Sequence, residues 1–155
     1  MKVLIALDYD PTAQKVAETG FSLAKTMGAE VTLLHVISNP VYYSSTDHVK
    51  VMGFAGHLDT GSLELNNVEG LKEVAKQFLA KSKHHLGDKT IQTLVKEGDF
   101  ADSILKTAID LPADIIVMGS HSRRWLEKIV MGSVTEKVMS HTLIPLFIIP
   151  TKKQN

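Results

Sequence analysis

The sequence contains no cysteine among its 155 residues. This absence excludes a disulfide-stapled scaffold, a thiol catalyst and a zinc site built on cysteine ligands. It also fits a reducing compartment, and we expect a cytoplasmic protein. Long apolar runs are lacking as well, since none approaches the roughly 20 residues that a membrane-spanning helix requires. The first apolar run ends at Asp8, too early for the apolar region of a secretory signal peptide.

The chain has no excess of charge of either sign, because 17 Lys and Arg balance 17 Asp and Glu. Proteins that bind nucleic acids or anionic membranes usually carry a basic surface, so we expect neither partner. The hydrophobic content of 44% and the charged content of 22% are ordinary for a globular protein. The length fits one domain with a substantial core.

Two common phosphate-binding signatures are missing. No G-x-G-x-x-G follows the first apolar run, and no G-x-x-x-x-G-K-[ST] supplies a P-loop lysine to polarise a γ-phosphate. No G-x-S-x-G nucleophile elbow is present either. We assign no catalytic residue, because no general base is evident.

Five short apolar runs, separated by amphipathic segments, predict an alternation of strands and helices. The predicted strands are Val3–Leu7, Val31–Val36, Ile91–Val95, Asp114–Met118 and Leu146–Ile149. Such alternation indicates a doubly wound, five-stranded parallel sheet with helices on both faces. Runs one, two and four are almost continuously apolar and should be central, whereas the third alternates as an edge strand would.

Three helix starts carry recognisable capping signals. Asp10 and Pro11 resemble an N-cap followed by a first-turn proline, and Asp99 is placed to cap a later helix. Ser133 to Glu136 has the capping-box pattern, which predicts a last helix running to about His141. Gly28 and Gly87 are predicted to close the first two helices.

The last predicted strand, Leu146–Ile149, is short and apolar on both faces. An exposed apolar edge invites association with another chain. We therefore predict a homodimer that pairs through this strand.

The segment Ser38–Ser62, about 25 residues, has no clear periodicity and is uncommonly long for a loop within a compact domain. It contains enough apolar side chains to cover a ligand: Tyr42, Tyr43, Met52 and Phe54. It is either a lid or binding loop, or a partly disordered insertion.

The stretch from Gly119 to Thr135 points most directly to a ligand. Gly119 follows an apolar strand, and Gly132 with Ser133 stands where a new helix should begin. Small residues let backbone N–H groups approach an anion, and a helix N-terminus favours negative charge. In open α/β sheets, ligands lie beyond the carboxyl ends of the strands. Asp8–Asp10 after the first strand and Val36 after the second converge there with the loop after the fourth. The pattern predicts a nucleotide site.

These residues also carry a family resemblance. Gly119-x2-Ser122-x9-Gly132-Ser133 resembles the G-x2-G-x9-G-[ST] nucleotide motif of the universal stress protein family. The segments VLIALDYD, LLHV, IIVMGSH, GSVTEKV and PLFIIP resemble that family in order and spacing. The resemblance implies one Rossmann-like, adenine nucleotide α-hydrolase-like domain over residues 1–150, with strand order 3-2-1-4-5. It does not cover the middle of residues 38–62, and residues 151–155 are expected to form a frayed tail.

The ATP-binding members of the family imply which residues hold each part of the ligand, which would be ATP, ADP or AMP with Mg²⁺. The adenosine end would lie against Ala6, Asp8 and Val36, and the ribose between Met118 and Gly119. The phosphates would lie among Ser122, Gly132, Ser133 and Val134, with His121 as a further candidate contact. The Ser133 hydroxyl can reach a phosphate or its Mg²⁺.

Two positions depart from the family pattern. Ser122 replaces the second motif glycine, so its Cβ narrows the approach to the phosphates while its hydroxyl adds a donor. We expect binding to survive with altered affinity. Asp10 stands where the family often has serine, and it acts either as a helix N-cap or as an aid to metal binding. Arg123 and Arg124 either clamp phosphate oxygens or remain solvated.

The histidines form no convincing metal site. His84 and His85 are adjacent and point to different faces of a helix, and His35 in a central strand is expected to be a hydrogen-bonded core residue. The resulting expectation is a nucleotide-dependent regulatory switch. The alternatives are a nucleotide-independent dimeric interaction module with a site degraded at Ser122, or a slow nucleotide hydrolase or phosphotransferase.

Overall fold

A computed structural model describes residues 1–9, 11–38, 52–53, 56–57, 68–120 and 132–151. The strands within them are β1 (Lys2–Ala6), β2 (Glu30–Ile37), β3 (Met52–Gly53), β4 (Gly56–His57), β5 (Gln92–Glu97), β6 (Ile115–Gly119) and β7 (Leu146–Ile149). The helices are α1 (Ala13–Thr26), α2 (Val68–Leu86), α3 (Phe100–Asp110) and α4 (Ser133–His141).

The main sheet has the order β5-β2-β1-β6-β7, and every neighbouring pair in it is parallel. Counting only the strands of this sheet, the order is 3-2-1-4-5, which confirms the expected fold. The continuously apolar strands β1, β2 and β6 are central, and the alternating strand β5 is at an edge, as their compositions predict.

Helices cover both faces of the sheet because the central strands are apolar on both sides. Along β1, Val3 and Ile5 pack with residues of α1 and α2, whereas Leu4 packs with residues of α3 and α4. Gly28 and Gly87 follow α1 and α2 with φ of +65° and +74°, a conformation that glycine adopts without strain. Both predicted helix ends are therefore confirmed.

Two of the three predicted helix starts need correction. Thr12 is the N-cap of α1, so Pro11 precedes the helix and is not its first residue; Asp10 lies outside the described residues. Gly132, not Ser133, is the N-cap of α4, so the capping box predicted from Ser133 to Glu136 is wrong. The third start is confirmed, because the Asp99 side chain accepts a hydrogen bond from the Asp102 N–H.

The predicted loop Ser38–Ser62 contains two short strands, β3 and β4, which pair antiparallel with Met52 opposite His57. Most of the segment lies outside the described residues, and so do its candidate ligand-covering residues Tyr42, Tyr43 and Phe54. Strands of two residues are too short to produce a recognisable alternation, so the sequence pattern did not reveal them.

The predicted frayed tail is wrong at its first residue. Thr151 is buried, and its N–H donates to Ser120 Oγ at 3.0 Å. Residues 152–155 lie outside the described part of the chain. None of the four described helices combines the length and the apolar character that crossing a bilayer demands.

Candidate functional site

A pocket opens at the carboxyl ends of β1, β2 and β6, where the chain order of the sheet reverses direction. The first turns of α1, α3 and α4 complete its described wall. Its lining residues are Ala6, Leu7, Asp8, Thr12, Ala13, Val16, Leu34, His35, Val36, Phe100, Ile104, Met118, Gly119, Val134 and Thr135. This is the position at which open α/β sheets bind ligands.

The structure brings most of the predicted site residues together here. Six of them line the pocket: Ala6, Asp8, Val36, Met118, Gly119 and Val134. Gly132 and Ser133 directly precede Val134 at the start of α4. His121 and Ser122, as well as Arg123 and Arg124, lie outside the described residues.

The turn that carries Asp8 is tied to strand β2. The Leu7 N–H donates to the Leu34 carbonyl oxygen at 2.8 Å, and His35 Nδ1 lies 2.8 Å from the Leu7 carbonyl oxygen. His35 is only 1% exposed, which confirms the prediction of a hydrogen-bonded core histidine. Leu7 and His35 were not predicted to be site residues, because nothing in the sequence pattern distinguishes them from other strand residues.

The start of α4 presents backbone donors at the pocket. The first bond of the helix runs from the Glu136 N–H to the Gly132 carbonyl oxygen at 3.0 Å. The N–H groups of Ser133, Val134 and Thr135 in the first turn therefore have no acceptor within the helix, as at any helix N-terminus. Gly132 differs from the prediction, since its own N–H donates to the Ser120 carbonyl oxygen at 2.7 Å. Its contribution to the site is to position α4.

Thr135 fixes α4 against the end of β6. Its hydroxyl donates to the Gly119 carbonyl oxygen at 2.8 Å, and the residue is buried. The sequence analysis did not single out Thr135, because nothing in the pattern distinguishes it from any other residue in the first turn of a helix.

Gly119 is packed between two side chains. A Cβ at this position would lie 3.0 Å from Val16 Cγ2 and 3.0 Å from Thr151 Cγ2. These distances are tighter than ordinary van der Waals contact, so the packing of Val16 and Thr151 also favours a glycine here.

The pocket has one carboxylate in its described lining, and one lysine and two aspartates beside it are engaged with one another. Asp8 is the one acidic residue in the described lining. Lys137, one turn into α4, lies 3.2 Å from Asp99 Oδ2 and 3.2 Å from Asp102 Oδ1. Hydrogen bonds to these two carboxylates raise the pKa of Lys137. Within the described residues, no cluster of three or more metal-ligating side chains is found.

The fold and the pocket define a doubly wound α/β domain with a pocket at its switch point. The model of the universal stress protein family matches residues 1–150. The chain therefore belongs to the universal stress protein family, and the resemblance stated from its motifs is confirmed at the level of the family.

Relatives match along nearly the whole chain. Universal stress protein MJ0577 of Methanocaldococcus jannaschii is 32% identical, over 97% of this chain and 95% of that protein. The stress response protein NhaX of Bacillus subtilis is 25% identical, over 96% of both chains.

Solved structures share the fold. The structure of MJ0577 superimposes with a TM-score of 0.72 at 28% identity, covering 99% of this chain and 98% of that one. A universal stress protein in complex with cAMP has a TM-score of 0.63 at 13% identity, over 98% of both chains. The Archaeoglobus fulgidus protein in complex with dAMP has a TM-score of 0.57 at 19% identity, over 96% of this chain and 97% of that one.

Proposed function

We propose that this chain is a cytoplasmic regulatory protein that binds an adenine nucleotide in the pocket at the ends of β1, β2 and β6. The observation that carries the proposal is the convergence of six predicted ligand contacts on that one pocket. Two solved structures of the same fold are complexes of a universal stress protein with an adenine nucleotide, one with cAMP and the other with dAMP.

The pocket suggests an orientation for the nucleotide. The adenosine end lies against the carboxylate of Asp8 and the backbone of Val36, because a carboxylate accepts hydrogen bonds from ribose or base donors. Leu34, Ile104 and Met118 supply an apolar surface for the base, as is usual in ligand pockets.

The phosphates lie at the start of α4, where the helix dipole favours negative charge. Ser133 is exposed at this point, so its hydroxyl is accessible to a phosphate or to the Mg²⁺ that accompanies it. In this proposal Ser122 and His121, which lie outside the described residues, also contact the phosphates.

Isothermal titration calorimetry with ATP, ADP and AMP, each with and without Mg²⁺, tests the proposal. We expect one nucleotide per chain, and Asp8→Asn should weaken binding about tenfold or more because a charged acceptor is lost. Asp110→Asn is the matched control, since Asp110 pairs with Lys106 at the far end of α3. The absence of binding by the wild-type protein at millimolar nucleotide would overturn the proposal. If Ser122→Gly then created binding, the alternative of a degraded site would be favoured.

We also propose that nucleotide occupancy acts as a switch, by stabilising a homodimer. Hydrolysis is expected to be slow because no P-loop lysine and no general base are evident. Turnover near 1 s⁻¹ or faster, which is typical of enzymes, would instead favour a nucleotide-processing enzyme.

A further inference from the structure

His35 contacts both neighbours of Asp8 in the chain. Its Nδ1 lies 2.8 Å from the Leu7 carbonyl oxygen, and its ring centroid lies 4.2 Å from that of Tyr9. Because a carbonyl oxygen only accepts hydrogen bonds, Nδ1 carries the hydrogen and donates it. One side chain of β2 therefore holds the residue before Asp8 and the residue after it.

The backbone at Leu7 is attached to β2 twice. Register pairing of β1 with β2 ends at Ala6, opposite Leu34. The Leu7 N–H continues the contact by donating to the Leu34 carbonyl oxygen at 2.8 Å, and the Leu7 carbonyl oxygen accepts from His35. The peptide group that leads into Asp8 is thus held by a side chain after the strand has ended.

The ring of His35 is itself held in place. Phe78 of α2 packs edge-on against Tyr9, at 5.2 Å between centroids, and against His35, at 5.8 Å. All three residues are buried, with Tyr9 6% exposed, Phe78 2% and His35 1%. Hydrogen bonds in such surroundings are strong and well directed because water does not compete for them.

We infer that His35 is a positioning residue for the nucleotide, which holds the Leu7–Tyr9 backbone so that the Asp8 carboxylate faces the pocket. The inference rests on the proposed function, in which Asp8 accepts hydrogen bonds from the adenosine end. His35 acts through Asp8, so its replacement should have the same effect on the ligand as a displaced carboxylate.

Two substitutions separate the contacts of His35. His35→Phe keeps a ring against Tyr9 and removes the donor to Leu7. His35→Asn removes the ring but keeps an N–H at about the position of Nδ1. In titration with ATP, His35→Phe should weaken binding about tenfold, as is expected for Asp8→Asn, because the displaced carboxylate no longer accepts hydrogen bonds from the ligand. His35→Asn should recover most of that loss.

A double-mutant cycle tests whether His35 acts through Asp8. Once Asp8→Asn has removed the carboxylate, adding His35→Phe should cost little further affinity for ATP, whereas independent effects would add. Thr107→Val is the control for general destabilisation, because Thr107 is buried, bonds to the Ser103 carbonyl oxygen and is absent from the described pocket lining. It should lower stability without changing affinity.

The imidazole of the wild-type protein provides a measurement that needs no variant. ¹⁵N–¹H spectra should show the hydrogen of His35 on Nδ1, and its resonance should shift when ATP is added. A hydrogen on Nε2 alone, additive losses in the cycle, or full affinity in His35→Phe would each overturn the inference. If the wild-type protein binds ATP but one of these results is found, the inference fails and the proposed function stands. If the wild-type protein does not bind ATP, both fail.

Discussion

At the scale of single residues, Gly119 shows how one position can serve two requirements. The sequence pattern favoured glycine there because a ligand must approach the backbone. The structure adds a second reason, since a Cβ would lie 3.0 Å from a methyl group of Val16 and 3.0 Å from one of Thr151. Both neighbours are β-branched, so neither side chain can easily rotate away.

Gly119→Ala is therefore expected to lower the free energy of unfolding by about 1–3 kcal/mol, the usual cost of overpacking a core. Urea denaturation measures it. Adding Thr151→Ser removes one of the two obstructing methyl groups while keeping the hydroxyl near Ser120, so the double variant should regain part of the loss. A Gly119→Ala protein as stable as the wild type would contradict the packing argument.

The sequence could name residues of the candidate site, but it could not reveal their bonds. Asp8 and Val36 were predicted from their positions at strand ends and Ala6 from the family resemblance, and all three line the pocket. The N–H of Gly132 was expected to face an anion, yet it donates to Ser120. Such a pairing depends on the path of the chain between the two residues, and no spacing rule encodes that path.

At the scale of secondary-structure elements, Asp99 links two helices next to the pocket. Its Oδ2 accepts the Asp102 N–H at 3.0 Å, which caps α3. The same oxygen lies 3.2 Å from Lys137 Nζ of α4. One carboxylate thus starts one helix and holds the first turns of another.

The pKa of Asp99 is lowered, chiefly because its carboxylate accepts the Asp102 N–H and also because Lys137 is close. A carboxyl group whose pKa is lowered by folding stabilises the folded state. This stabilisation is complete at pH values above the pKa of the group in the unfolded chain, about 3.9. That stabilisation is lost as the pH falls through the folded pKa. We expect Asp99→Ala to cost about 1 kcal/mol at neutral pH, as loss of a helix N-cap does.

Asp99→Asn keeps a side-chain oxygen as a cap but cannot titrate, so its stability should change less than that of the wild type between pH 5 and pH 2. Over this pH range, the wild type should lose at most about 0.5 kcal/mol more of its free energy of unfolding than Asp99→Asn does, because the Asp99 side chain is half exposed. Asp110→Asn, at the other end of α3, is the control. Chemical denaturation across this pH range measures the effect, and parallel pH profiles for wild type and Asp99→Asn would contradict it.

A helix start was predictable where a strong capping side chain stands directly before the helix. Asp99 stands there, and its carboxylate caps the helix as predicted. Gly132 and Ser133 both suit an N-cap, so the sequence pattern could not choose between them. The strands β3 and β4 are below the length at which periodicity becomes visible.

At the scale of the whole molecule, the central positions of β1, β2 and β6 and the edge position of β5 were predictable because the apolar content of a strand reflects its burial on each face. The full strand order was implied by the family resemblance. By the measure of apolar content, β7 is unusual. It is an edge strand beside β6, yet its sequence is entirely apolar and Phe147 is 37% exposed. This exposure supports the proposal that a second copy of the chain covers β7, because an uncovered apolar edge promotes association.

The end of β7 is also connected to the pocket. The Ser120 N–H donates to the Ile149 carbonyl oxygen at 2.9 Å, and the Ser120 carbonyl oxygen accepts from Gly132, the N-cap of α4. One residue therefore joins the proposed dimer strand to the proposed phosphate site. A ligand that orders the start of α4 should also order β7, so nucleotide binding and dimerisation should each strengthen the other.

Phe147→Asp tests the dimer and this coupling together. A charge on β7 should convert the dimer to a monomer in sedimentation or light-scattering measurements, because an unpaired carboxylate would be buried between the two chains. Thr93→Asp, at an exposed position of the opposite edge strand β5, is the control and should leave the dimer intact.

ATP should lower the dissociation constant of the wild-type dimer, and by reciprocity the monomeric variant should bind ATP more weakly. A monomeric wild-type protein, or an unchanged dimer in Phe147→Asp, would refute pairing through β7, and a dimer insensitive to ATP would refute the coupling alone.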